Sequence, residues 1–142
     1  CIRDRDVLVM AAAVADFRPS AAEGTKIARA GAPASIDLEP TPDIIKSICD
    51  GFSGTLVAFA LQAGDDLEPA RRKLREKRAD YIVVNRYDER GAGFESETNH
   101  AWILSQAGGE TELSIDTKPA IARRILEYIA EDRGWQDETE LS

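Results

Sequence analysis

Three short apolar runs constrain this chain more than any other feature. They are Val7-Leu8-Val9-Met10, Thr55-Leu56-Val57-Ala58-Phe59-Ala60 and Tyr81-Ile82-Val83-Val84. None of them alternates polar with apolar residues. A strand with one face in water alternates, whereas a strand covered on both faces does not. The first run, opened by Asp6 and followed by Ala11 to Ala15, therefore reads as a buried strand at the centre of a parallel sheet, leading into a loop. The other two read as further buried strands, the third ending at Asn85. Helical spacing between the runs supplies the crossovers, so the class is α/β with a mostly parallel sheet.

The connecting segments carry their own signals. Thr41-Pro42-Asp43 opens a helix, with Thr41 as cap, Pro42 in the first turn and Asp43 at the positive end of the dipole. Ile44, Ile45 and Ile48 share a face of it, and Gly51 ends it. Asp65-Asp66 can cap a second helix, with Leu67, Ala70 and Leu74 at helical spacing. Phe17 to Ala34 reads as a long loop, Ser35 to Leu38 as a short strand, and Arg86 to Asn99 as another loop. Ala101 to Leu104 and Thr111 to Ile115 form a hairpin across Gly108-Gly109. Thr117 caps a last helix whose apolar residues are Ile121, Ile125, Leu126 and Ile129. Past Arg133 the chain is polar and expected to fray.

Composition excludes several functions. The 142 residues suit one domain and one core. Lys and Arg number 18 against 26 Asp and Glu, a net charge of -8. That balance argues against nucleic acid and anionic membrane as partners, while leaving room for a local basic pocket. No apolar run approaches the roughly 20 residues that span a bilayer. Cys1, Cys49 and His100 have no metal-ligand spacing, so a reducing, cytoplasmic setting is expected. Only three long parallel strands are evident, no glycine-rich fingerprint follows the first, and the chain opens without Met. The expectation is a piece of a larger protein that lacks its N-terminal half.

Ligands of open α/β sheets bind beyond the carboxyl ends of the strands. Three clusters fall there. In the first, Met10, Ala11 and Ala12 leave the backbone bare for a flat ligand, and Asp16 is placed to bond a sugar or a magnesium ion. The same pattern also fits a tightly packed strand end followed by a surface carboxylate. In the second, Lys26 on the long loop can close over a triphosphate, or it is an ordinary solvated lysine. The third joins Thr41, Pro42, Asp43, Ile44 and Phe59 to the basic helix of Arg71 to Arg78. Lys73 and Lys77 lie four apart and share a face, able to meet one ligand or simply to complement the helix dipole.

The order of these clusters resembles that of the phosphopantothenate–cysteine ligases. Ala12-Ala13-Val14-Ala15-Asp16-Phe17 resembles their Ala-Ala-Val-Ala-Asp-aromatic motif, and Lys26-Ile27 follows at the family interval. Thr41-Pro42-Asp43-Ile44, Phe59-Ala60, the Lys73/Lys77/Asp80/Asn85 register, Gly91-Ala92-Gly93-Phe94 and Thr98-Asn99 continue the match to about Ile129. The resemblance implies a Rossmann-like three-layer fold with an added β-hairpin. It implies a domain over 1–132, the C-terminal part of a synthetase domain, with a polar tail over 133–142. It implies CTP with Mg2+, 4′-phosphopantothenate and cysteine as partners, in a homodimer completed by the missing N-terminal half. Carried over by position, Met10, Ala11, Ala12, Asp16, Lys26, Thr41, Pro42, Asp43, Ile44, Phe59, Lys73 and Lys77 contact the nucleotide, and Lys26 assists formation of an acyl-cytidylate. Ala28, Arg29, Pro40 and Leu61-Gln62-Ala63 depart from the family pattern. The competing reading is a nucleotide-binding or interaction module of α/β fold that does no chemistry.

Overall fold

A computed structural model describes residues 5–21, 35–88 and 96–135. The main sheet has five strands in the order β1-β4-β5-β6-β7. They are β1 (Val7–Met10), β4 (Thr55–Gln62), β5 (Tyr81–Arg86), β6 (Thr98–Ser105) and β7 (Glu110–Thr117). β1, β4 and β5 run parallel, with Val9 opposite Val57 and Phe59 opposite Val83. β6 and β7 then add to the β5 edge in antiparallel fashion. A separate antiparallel ribbon pairs β2 (Phe17–Pro19) with β3 (Leu38–Pro40).

Alternation in the buried strands sorts the core into two layers. Leu56, Ala58, Ala60, Ile82 and Val84 face α1 (Ile44–Cys49) and α2 (Glu68–Glu76), meeting Ile45, Ala70 and Leu74. Val57, Tyr81, Val83 and Ile103 face α3 (Lys118–Arg133), meeting Ile121, Ile125 and Ile129. The three layers of an α/β fold follow from this division. Each fully buried aliphatic here contributes about 1.5–3 kcal/mol of transfer free energy.

Several expectations change. β1 lies at an edge among the described residues and is only partly covered, with Val9 44% exposed. Among the described residues, its apolar run pairs with β4 on one side and has no strand on the other. The expected loop from Phe17 begins as a strand, and the short strand expected over Ser35–Leu38 forms at Leu38–Pro40 instead. Arg18 opposite Glu39, ion-paired at 2.7 Å, fixes that register. The hairpin is longer than expected and extends the main sheet, turning at Gly108 with φ +99. In α3, Leu126 is 57% exposed, because the buried stripe runs 121, 125, 129 at four-residue spacing. That helix does start at Thr117, whose hydroxyl accepts from the Ala120 N–H. It ends at Gly134, which is left-handed, with the Trp135 N–H donating to the Ala130 carbonyl. The rest of the tail expected to fray, 136–142, lies outside the described residues. Among the described residues, no helix is long and apolar enough to cross a membrane.

Candidate functional site: a cleft at the carboxyl ends of β1 and β4

A cavity of about 420 Å³ opens where β1 and β4 end. Met10 closes β1, and Ala12 to Asp16 form one lip. Thr41, Pro42, Asp43, Ile44 and Ile45 lead into α1 and form the facing lip. Phe59, Ala60 and Leu61 come from the end of β4, and Lys73 and Lys77 reach in from α2. The structure thus gathers Met10, Ala12, Asp16, Thr41, Pro42, Asp43, Ile44, Phe59, Lys73 and Lys77 around one space. Ala11 sits between two lining residues without lining the cavity itself. Lys26 lies outside the described residues.

Two bonds from Thr41 hold the lips together. Its N–H donates to the Asp16 carbonyl at 2.9 Å, and its hydroxyl donates to the Ala15 carbonyl. Thr41 is therefore a staple and not the cap of α1, as its position before Pro42 suggested. Asp43 is the cap, its carboxylate accepting the Lys46 N–H at 3.1 Å. One of the first-turn donors that the sequence offered to a ligand, the Lys46 N–H, is therefore taken by the Asp43 side chain.

Charge in the cleft is balanced, with Lys73 and Lys77 against Asp16 and Asp43. Lys77 Nζ lies 3.5 Å from Asp43 Oδ2. Partial burial pushes the Asp43 carboxyl upward, but the Lys46 N–H and the Lys77 ammonium outweigh it, and the group is held below its ordinary value. Among the described residues, no three His, Cys, Asp or Glu side chains converge to hold a metal ion.

Beside the cleft, a network absent from the sequence reading ties down the turns after β4 and β5. Arg86 bonds Asp88 at 2.7 Å, pairs with Asp65, and lies 5.6 Å over the Trp102 ring. The Arg86 bonds, helped by the Gly64 N–H, draw the Asp88 carboxyl down to about 2. Asn99 donates to Asn85 at 2.9 Å, joining two residues of the family register. Helix α2 has its N-cap at Leu67, without a side-chain cap bond, and not at Asp65 or Asp66 as expected; Asp66 accepts the Glu68 N–H and Asp65 serves Arg86.

Asp80, placed by the sequence in the same register as the lysines, lies elsewhere. A second cavity of about 410 Å³ is lined by Asp80, Tyr81, Asp132 and Arg133. Asp80 accepts the Leu56 N–H at 2.8 Å and pairs with Arg133 at 2.5 Å. Tyr81 donates to Asp132 at 2.5 Å and accepts from Arg133 Nε at 3.2 Å. Burial, then the bond to Asp132, pushes the Tyr81 phenol up to about 12. Every group in this knot is engaged within the chain, which makes it a structural tie.

A mixed sheet with a parallel core, helices on both faces and a polar cleft at its strand ends defines an α/β domain of Rossmann-like type. Residues 1–132 match the DNA/pantothenate metabolism flavoprotein C-terminal domain, and the chain belongs to that family. It is 41% identical over 139 residues to the coenzyme A biosynthesis bifunctional protein CoaBC of Mycolicibacterium smegmatis, covering 89% of this chain and 33% of that protein. It is 35% identical over 126 residues to the CoaBC of Bacillus subtilis, covering 88% of this chain and 31% of that one. The chain thus spans about a third of the length of these relatives. Among solved structures, the C-terminal domain of a CoaBC protein superposes with a TM-score of 0.71 at 30% identity, over 95% of this chain and 58% of that chain. Cab2 in complex with phosphopantothenate-cysteine shares the fold, with a TM-score of 0.55 at 17% identity, over 89% of this chain and 46% of that chain.

Proposed function

We propose that this domain is the nucleotide-holding part of a ligase that joins 4′-phosphopantothenate to cysteine in coenzyme A biosynthesis. The observation that carries the reading is convergence. Segments separated by as many as 60 residues in sequence, from the Ala12–Asp16 stretch to Lys73 and Lys77, meet around one cavity. The cleft suits CTP chemically. Bare backbone after β1 and the Phe59 ring suit a pyrimidine, and the two lysines suit its phosphates through charge-assisted bonds.

In the proposed reaction, the phosphopantothenate carboxylate attacks the α-phosphate of CTP. Pyrophosphate leaves and an acyl-cytidylate forms. The cysteine amine then attacks the acyl carbon, expelling CMP and losing a proton. Lys26 is assigned to stabilise charge in the first step, and Lys73 and Lys77 to hold the phosphates in line. A magnesium ion carried by the triphosphate would neutralise phosphate charge. Asp16 would hold it, since such an ion keeps most of its waters and takes one or two carboxylates. The complete enzyme is assigned a homodimeric state and an N-terminal portion that supplies the remaining groups.

Calorimetric titration with CTP and magnesium tests the reading. CTP should bind more tightly than ATP, and Lys73→Ala and Lys77→Ala should each weaken CTP more than CMP. Equal losses for CTP and CMP would reduce these lysines to helix-end cations, and absence of CTP binding would leave an α/β module of another use.

A further inference from the structure

Asp43 does two jobs at once in the cleft. One carboxylate oxygen accepts the Lys46 N–H at 3.1 Å and caps α1. The other faces the Lys77 ammonium at 3.5 Å. The cap ties this carboxylate to the backbone, whereas Lys77 ends a long flexible stem. The pair is long and half in water, with side chains 43% and 31% exposed. Such pairs are weak and easily exchanged.

We propose that Asp43 is a positioning residue that governs the availability of Lys77 to phosphate: it holds the ammonium at the cleft and yields it to an incoming triphosphate. This rests on the nucleotide reading above. A triphosphate carries more charge than one carboxylate and offers charge-assisted bonds to Lys77, so the lysine changes partner. The capped carboxylate cannot follow and remains as a negative neighbour. Asp43 therefore makes triphosphate binding weaker than the lysines alone would allow. Lys73, which lines the same cavity, serves as the internal comparison.

The variant Asp43→Asn separates the two jobs, because Asn caps helices about as well as Asp but carries no charge. Titrated calorimetrically, Asp43→Asn should bind CTP about two- to fivefold more tightly, the scale of a half-exposed ion pair. CMP binding should hardly change. The gain should survive in a Lys73→Met background and vanish in Lys77→Met. A gain that persists undiminished in Lys77→Met would show a general field effect and overturn the proposal, as would weaker CTP binding by Asp43→Asn. The Asp43 carboxyl resonance, followed by NMR against pH, gives an independent readout. Its midpoint should rise in Lys77→Met and on saturation with CTP. A midpoint unmoved by Lys77→Met overturns the holding role even if CTP binds. Absence of CTP binding by the unaltered chain overturns the nucleotide reading and the release step with it, while the Lys77→Met titration still decides the holding role.

Discussion

The edge and the middle of the main sheet are built from similar apolar sequence and end up in different states. At β5, Tyr81 to Val84 are all buried, between β4 and β6 and under helices on both faces. At β1, Val7 to Met10 are partly covered at best, and every residue from Ala11 to Ser20 is exposed. Neighbours, more than side-chain type, decide how much a strand contributes. The difference also teaches where binding can reside. A fully packed strand has no space to offer, whereas β1 hands its exposed end to the cleft while β4 and β5 supply rigidity.

Mutating equivalent aliphatics is the strongest way to break this comparison. Ile82→Ala removes a side chain with no exposed surface and should cost about 2–5 kcal/mol in denaturant unfolding. Val9→Ala should cost less than about 1 kcal/mol. Similar losses at both sites would mean that β1 is as well supported as β5.

The buried end of β5 can be probed through its tie to α3. Tyr81→Phe removes the hydroxyl that links Asp132 and Arg133, and should cost about 1–2 kcal/mol near neutral pH. The phenol holds its proton more tightly folded than unfolded, its value rising from 10.0 to about 12. The stability this represents is fully present below pH 10 and is lost as pH climbs toward 12. Thermal melts across that range should show a decline that Tyr81→Phe flattens.

A smaller gain is available where α2 gives way to β5. Arg78 has a left-handed backbone, φ 49, which costs a residue with a side chain more than it costs glycine. Arg78→Gly should raise stability by about 0.5 kcal/mol, since the Asp50 pair it loses is exposed and adds little. A net loss in urea unfolding would show that the pair matters more than the strain.

At the loops beside the cleft the effect is read by titration. Asp88 should show an NMR midpoint near 2, and Arg86→Gln should return it toward 3.8. An unchanged midpoint would remove Arg86 as the cause.

Much of the scaffold was legible because burial on two faces leaves a plain trace, the unbroken apolar run. β4 and β5 were found that way, and Thr117 announced α3. The β2–β3 ribbon left no such trace, since three-residue strands with exposed Phe17 and Leu38 carry no alternation to read. Position in the sheet was illegible for β1, because an apolar run does not say how many neighbours it meets. The helix start was misplaced because Thr41 and Asp43 are both good caps, and only the fold shows that Thr41 is engaged by Ala15 and Asp16. The cleft was legible through the order of motifs, whereas Asp80 shows the limit of that method. It sits in register with Lys73 and Lys77, yet faces the knot with Arg133.

That aspartate joins parts of the chain that are far apart in sequence. The Asp80 N–H donates to the Leu56 carbonyl, its own carbonyl accepts the Gln106 N–H, and its carboxylate accepts the Leu56 N–H and pairs with Arg133. The start of β4, the turn after β6 and the last turn of α3 should therefore open together in hydrogen exchange, with the Leu56 amide as reporter of that unit. Shortening the chain to before Arg133 would strip Asp80 of its cation and let water reach the Leu56 amide, whereas a fusion joined after Trp135 would leave that amide as slow to exchange as before.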